Sequence, residues 1–154
     1  MNDPYIFRRA EQKDLLDIIR LLSEDELGSG REMFSTHDIK SSYQTAFEEI
    51  DADPNQSLMV LERDTKIIGT CHLTYMPSLT FQGGKRMNIE AVRIDQTLRN
   101  QKVGEWMLKQ AIQIAKKHHC KIIQLTTNKK RTAAKRFYEK LGFEATHEGM
   151  KLFL

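Results

Sequence analysis

Three groups of side chains in this sequence are of types that do chemistry. The first is a loop. Ile89-Glu90-Ala91-Val92-Arg93-Ile94 reads as a strand, and it runs into Arg99-Asn100-Gln101-Lys102-Val103-Gly104 just before an apolar-periodic helix. A helix start offers unbonded N–H groups and the positive end of its dipole, which suits a diphosphate. Gly104 would let a ligand approach the backbone closely, and Arg99 and Lys102 add charge. Read alone, the loop is as readily an ordinary strand–helix turn with solvated basic residues. The second group is Glu90, whose strand neighbours are mostly apolar, with His72 on the preceding strand as a reserve. Burial would raise the Glu90 pKa towards that of a useful base. Glu90 also fits a structural carboxylate, and His72 a core or edge histidine; His147 reads as structural. The third is the basic run Lys129, Lys130, Arg131, Lys135 and Arg136. Most of it reads as solvated surface, and Arg131, ahead of the last helix, is the member placed to meet phosphate charge.

The elements that must position these groups follow from pattern. Tyr5 to Arg9 is a short β-rich opening. Leu15, Ile18, Ile19 and Leu22 repeat with helical spacing. The glycines of D-E-L-G-S-G-R-E break that helix. A second helix is predicted with Thr36 as N-cap and Ile39, Tyr43, Ala46, Phe47 and Ile50 as its apolar face. Pro54 ends it. Two strands flank an Asp64–Thr65 turn, and a third covers 87–94. Val103, Met107, Ala111, Ile114 and Ala115 line the next helix, and K-I-I-Q-L-T-T reads as a buried strand. Ala134, Phe137, Tyr138 and Leu141 line a short helix with Gly142 as its C-cap. Strands near 144–148 and 151–154 are expected to close the chain. The order is β-α-α-β-β-β-α-β-α-β-β, an α/β (mixed α+β) arrangement with helices on both faces of a mixed sheet. In such sheets ligands gather beyond the C-terminal ends of strands, where the 99–104 loop lies.

Composition narrows the classes. With 154 residues and 40% hydrophobic content the chain has the size of a single domain, 1–154, able to bury a core. A net charge of +3 is too mild to argue for nucleic acid, and no aromatic stacking platform accompanies the basic run. Cys71 and Cys120 read as buried thiols in a reducing compartment, and no Cys/His cluster suggests a metal. The opening residues lack the apolar core of a secretory signal, and no apolar run approaches a membrane span. The expected location is the cytoplasm.

Two ordered segments then carry a resemblance. V-R-I-D-Q-T-L-R-N-Q-K-V-G-E-W-M-L (92–108) and N-K-K-R-T-A-A-K-R-F-Y-E-K-L-G-F (128–143) together resemble the GNAT superfamily of N-acetyltransferases. That family's coenzyme loop, Q/R-x-x-G-x-G/A, corresponds here to Arg99 through Gly104. Its later helix carries a tyrosine followed by Gly-Phe, here Tyr138, Gly142 and Phe143. The resemblance is firm from about Met87 to Phe143 and consistent in order before that. Lys102 stands where the first glycine of the pattern does. The aminoalkylphosphonate acetyltransferases look similar in this respect and in the segment from Thr127 to Tyr138.

The resemblance implies a central, splayed mixed sheet and direct acetyl transfer from acetyl-CoA, without a metal, to a primary amine. It implies that the main chain of Val92, Arg93 and Ile94 pairs with the pantetheine arm and stabilises the oxyanion. Arg99, Asn100, Gln101, Lys102, Val103 and Gly104 would hold the diphosphate, joined by Arg131. Tyr138 would protonate the departing thiolate, since a phenol with a pKa near ~10 remains a donor at neutral pH. Glu90 would be the base. A residue at 102 within the helix would still direct its N–H at phosphate. The acceptor pocket would involve the loop with Glu24, Asp25, Glu26, Arg31 and Glu32. A small amine with an anionic group is the first acceptor expected, with a protein N-terminus or lysine second. A non-catalytic CoA-binding regulatory module is the remaining alternative. Superfamily members often pair through sheet edges, which leaves a homodimer open.

Overall fold

The structure is a computed structural model and describes residues 4–35 and 39–154. The chain divides into two compact units, Met1–Gln124 and Leu125–Leu154. The expected N-cap Thr36 lies outside the described residues.

In the first unit β1 (Ile6–Arg9) leads through a 3-10 turn, Gln12–Asp14, into α1 (Leu15–Ser23). α1 buries Leu15, Ile18, Ile19 and Leu21 against Val60, Ile67 and Phe47. Each such side chain contributes roughly 1.5–3 kcal/mol by leaving water. A one-turn helix, α2 (Glu26–Ser29), occupies the stretch read as a simple break, because the Asp25 carboxylate caps it by accepting from Gly28 N. α3 (Ser41–Ala52) ends at Asp53, just ahead of Pro54, as expected. Phe47 is its buried residue, with Ile39 and Tyr43 packed partly against the core. Ala46, expected on that face, is exposed.

β2 (Gln56–Arg63) and β3 (Lys66–Met76) form the expected hairpin. Its turn residues Asp64 and Thr65 have φ of 50° and 64°, the left-handed pair that matches strand twist. A left-handed turn labelled α4 (Thr80–Gly83) precedes β4 (Arg86–Ile94). α5 (Val103–Lys117) turns Val103, Met107, Leu108, Ala111 and Ala115 inward; Ile114 is half-buried. β5 (Ile122–Leu125) follows α5. The five strands line up in chain order, β1-β2-β3-β4-β5, with the first three pairings antiparallel. The sheet is mixed and flanked by helices, the fold class anticipated. β5 is half-buried with Gln124 exposed, and not the fully buried strand expected.

In the second unit α6 (Thr132–Lys140) is the predicted short helix. Residues 144–154 carry no strand, which corrects the two closing strands expected there. A β-prone sequence becomes a strand only through a ladder with a partner. No described helix is long and apolar enough to cross a membrane.

Candidate functional site

β4 is irregular at its centre. Thr70 faces Arg93 and His72 faces Glu90, so Ala91 and Val92 stand opposite Cys71 alone. Ala91 absorbs the extra residue with φ 53°. For a residue with a Cβ that conformation costs ~1 kcal/mol, and such bulges re-aim the strand beyond them. The bulge lies directly before Val92, Arg93 and Ile94. Gly69 of β3 pairs with Ile94 at that end of β4. A Cβ there would come within 2.8 Å of Ile94 Cδ1 and 3.2 Å of Arg93 O. Opposite the bulge, burial pushes the Cys71 thiol up to about 12, so it is inert at neutral pH.

Glu90 does not have the buried setting expected of it. Its side chain is 56% exposed. Met87 and Ile89 are buried while Glu90 is exposed, so strand alternation puts Glu90 on the other face. There it meets His72, whose Nδ1 is 3.8 Å from Glu90 Oε1. His72 Nε2 is 2.8 Å from Gln56 Oε1, and Gln56 Nε2 donates to Asp53 Oδ2 at 3.0 Å. Because the Gln56 amide donates to Asp53, its oxygen accepts, so His72 Nε2 carries the proton and Nδ1 a lone pair. Burial lowers the His72 pKa despite the Glu90 charge, which keeps the ring neutral at pH 7. Two acceptors therefore face one gap, and a proton donor between them satisfies both.

The loop after β4 is built by Asp95. Its Oδ1 accepts from Thr97 N at 3.0 Å and from Thr97 Oγ1 at 2.7 Å, which starts a 3-10 turn, Gln96–Leu98. Gln101 Nε2 donates to Thr97 O at 3.1 Å. Asn100 and Lys102 both have φ of 62°. Lys102 is thus the left-handed N-cap of α5, where a glycine would sit without strain, and not a helical residue as anticipated. The first helical bond runs from Trp106 N to Lys102 O at 3.0 Å. The amides of Val103, Gly104 and Glu105 precede it, and no side chain caps Lys102's end of the helix. Val103 is 2% exposed, so its side chain belongs to the core and does not reach a ligand. These features suit an anion with several oxygens.

On the α1–α2 side, Asp25 Oδ2 lies 3.8 Å from Arg93 Nε, with both side chains largely buried. Glu32 accepts from Tyr43 Oη at 2.7 Å and from Arg31 Nε at 2.6 Å. Burial alone would raise the Glu32 carboxyl, but Tyr43 and Arg31 outweigh it and hold it below the usual range. Gly28 allows the tight entry into α2. A Cβ there would lie 2.0 Å from Leu22 O.

In the second unit, Asn128 Oδ1 accepts from Lys130 N at 2.9 Å, and Asn128 O accepts from Arg131 N at 2.8 Å, turning the chain into α6 with Arg131 as N-cap. Tyr138 is partly buried, 5.3 Å from the Phe137 ring centroid and 5.9 Å from that of Phe143. Gly142, at φ 92°, closes the helix: Gly142 N donates to Glu139 O and Phe143 N to Tyr138 O. The Gly-Phe pair that follows the tyrosine therefore fixes the turn that carries it. His147, read as structural, has its Nδ1 2.7 Å from Thr146 Oγ1.

Sequence reasoning passed over Gln56, Arg20 and Asp95, and read Tyr43 only as part of an apolar helix face. For Asp95 a signal was present, since Asp-x-Thr after a strand is an Asx-turn pattern. Gln56 carries no such local signal, because its role depends on a partner across the hairpin.

The sequence model of the acetyltransferase (GNAT) family matches residues 17–143. No curated protein sequence matches the chain. Among solved structures, the chain is similar to a transcriptional regulator from Bacillus halodurans C-125, with 41% identity over 97% of this chain and 99% of that one, at a TM-score of 0.93. It is also similar to glucosamine-6-phosphate N-acetyltransferase from Arabidopsis thaliana, with 23% identity, 97% of each chain covered and a TM-score of 0.77. A predicted acetyltransferase with acetyl-CoA from Clostridium acetobutylicum matches at 22% identity over 97% of this chain and 96% of that one, with a TM-score of 0.74. The last two likenesses concern the fold.

Proposed function

The chain belongs to the acetyltransferase (GNAT) family, which uses acetyl-CoA, and from that premise we propose that it acetylates a small primary amine bearing an anionic group, of the amino acid or aminoalkylphosphonate type. The observation that carries the reading is the His72–Glu90 gap beside the Ala91 bulge. His72 Nδ1, kept neutral by burial, takes the ammonium proton, and the Glu90 carboxylate orients the donor. The base proposed here is thus the histidine held in reserve, with Glu90 as its partner.

Acetyl-CoA supplies an activated acyl group as a thioester. The main chain of Val92, Arg93 and Ile94, re-aimed by the bulge, is assigned to the thioester oxygen and the pantetheine arm. Arg99, Asn100, Gln101, Lys102, Val103 and Gly104 are assigned to the diphosphate, with the open amides of α5 as donors. Motif resemblance supports Arg131 for phosphate and Tyr138 as the acid that protonates the departing sulfur. Arg31 binds Glu32 through Nε, so its terminal nitrogens are the edge it would present to an acid group.

A panel of amines with acetyl-CoA and a free-thiol readout tests the reading. Turnover of small carboxylate- or phosphonate-bearing amines supports it. A second reading, a non-catalytic CoA-binding regulatory module, is favoured by the similarity to the Bacillus halodurans transcriptional regulator. CoA binding with no amine of any class acetylated would select it, whereas turnover of peptides but not of small amines would reject the small-amine acceptor. If His72→Gln, Glu90→Gln and Tyr138→Phe all leave turnover intact, the assignment of roles is wrong.

A further inference from the structure

Arg20 lies on the flank of α1, outside every motif. Its NH1 contacts the Glu24 carboxylate and lies 3.1 Å from Asp95 Oδ2. Its NH2 donates to Ile67 O on β3 at 3.0 Å, and its Nε lies 3.5 Å from Asp17 Oδ1. The second Glu24 oxygen accepts from Gln96 N at 3.0 Å. Asp95 is therefore gripped on both sides: Oδ2 by Arg20 and Oδ1 by Thr97. The side chains of Arg20, Glu24 and Asp95 are 29%, 11% and 20% exposed, so this charge network is only partly screened.

We propose that Arg20 is a positioning residue for the coenzyme loop, clipping the end of α1 to the 95–102 segment through Glu24 and Asp95. The proposal rests on assigning that loop to the diphosphate. The physical need is clear. Lys102 holds a left-handed conformation without glycine, two residues after Asn100, whose type tolerates the same φ more readily, and strain such as that at Lys102 persists only where surrounding contacts over-determine the backbone. The contacts run in series from Arg20 to Asp95, Thr97 and Gln101, ending beside the strained residue. The clip also touches the acceptor side. Glu24 is followed directly by Asp25, which caps α2 and faces Arg93. One guanidinium thus couples the helix pair leading to the acceptor loop with the loop assigned to the coenzyme. A lysine could not replace it, since the fork serves three carboxylates and a carbonyl at once.

The test is CoA titration by calorimetry on the whole chain, together with steady-state kinetics. Arg20→Gln is expected to raise the CoA Kd and the KM for acetyl-CoA about tenfold while kcat stays within about threefold, a split that general loosening would not give. Asp95→Asn should do the same, and the double variant should be no worse than either single one, because they share one interaction. A CoA Kd within twofold of wild type in Arg20→Gln overturns the proposal. Should Arg20→Gln not fold, Thr97→Ala serves, since Thr97 is exposed and its hydroxyl only links Asp95 to the turn. A threefold rise in CoA Kd is then expected, and no rise overturns the clip. Arg99→Ala separates the two levels. If it weakens CoA binding and Arg20→Gln does not, the clip fails alone; if neither does, the loop assignment fails with it.

Discussion

Arg8 and Arg20 are the same chemical device put to different uses. Arg8 on β1 binds Asp14 in a fork, NH1 to Oδ2 at 2.7 Å and NH2 to Oδ1 at 3.1 Å, and its Nε donates to Glu62 at 2.9 Å. Every group it ties belongs to the framework: β1, the 3-10 turn ahead of α1, and β2. Asp14 is 3% exposed and also accepts from Glu11 N at 2.8 Å. Arg20 grips carboxylates just as firmly, but one of them starts the loop that ends in strained backbone. A guanidinium's consequence is set by which segments its partners belong to. The first arginine holds the sheet to its opening helix, and the second holds a loop in a conformation its own sequence disfavours.

Substitutions can break or sharpen this contrast. The largest effect is expected from His72→Gln, which acts on protons and on neither hub. It should lower kcat/KM by roughly 10²-fold, ~2.7 kcal/mol, with CoA affinity unchanged. In the unsubstituted protein the acid limb of kcat/KM should fall at a pH below the ordinary histidine value of about 6.5. That limb should vanish in the variant.

Next in size is Arg8→Ala, expected to cost about 2 kcal/mol of stability by chemical denaturation because it leaves the Asp14 carboxylate buried and unpaired. CoA affinity of the folded protein should stay within twofold, unlike Arg20→Gln. The pH dependence follows from the carboxyl. Burial would raise Asp14, but Arg8 and the Glu11 amide hold it below its ordinary value. Its stabilisation is therefore complete above about pH 4 and is lost as pH falls through the folded value. A melting series from neutral to strongly acidic pH should show that loss in the wild type and less of it in Asp14→Asn.

The smallest effect belongs to Lys102→Gly. Relief of the left-handed strain is worth ~1 kcal/mol, partly offset by a freer unfolded chain, so a net gain of about 0.5 kcal/mol is expected. CoA affinity should stay within about tenfold, ~1.4 kcal/mol. A hundredfold change in either direction would show that the side chain itself grips the ligand.

Local pattern carried much of the fold. α1, α5 and α6 were legible because apolar spacing and termini agreed, and Gly142 fell where left-handed closure needs a glycine. The β2–β3 hairpin was legible from its turn, although Asp64 and Thr65 are not its usual residues. Other features depend on partners. The closing strands read from 144–154 have no ladder. Ala91 gives no hint of a bulge, since the register break exists only against β3. Glu90 was misjudged for a different reason. Its apolar neighbours suggested burial, yet alternation with Ile89 had already placed it on the opposite face. The loop's conformation was only partly legible, because Asn100 is of a type that tolerates φ of 62° while nothing in Lys102 announces it.

The fit around Gly28 sets a rule for varying the α1–α2 segment, where the proposed function puts the acceptor. With Leu22 O only 2.0 Å from where a Cβ would sit, any side chain there would lift α2 from the end of α1 and carry Asp25 away from Arg93. The exposed neighbours Glu26, Ser29 and Gly30 can be varied in a library, whereas position 28 should come back as glycine in every functional clone. The α1–α2 segment is thus variable on its exposed side and fixed at its pivot.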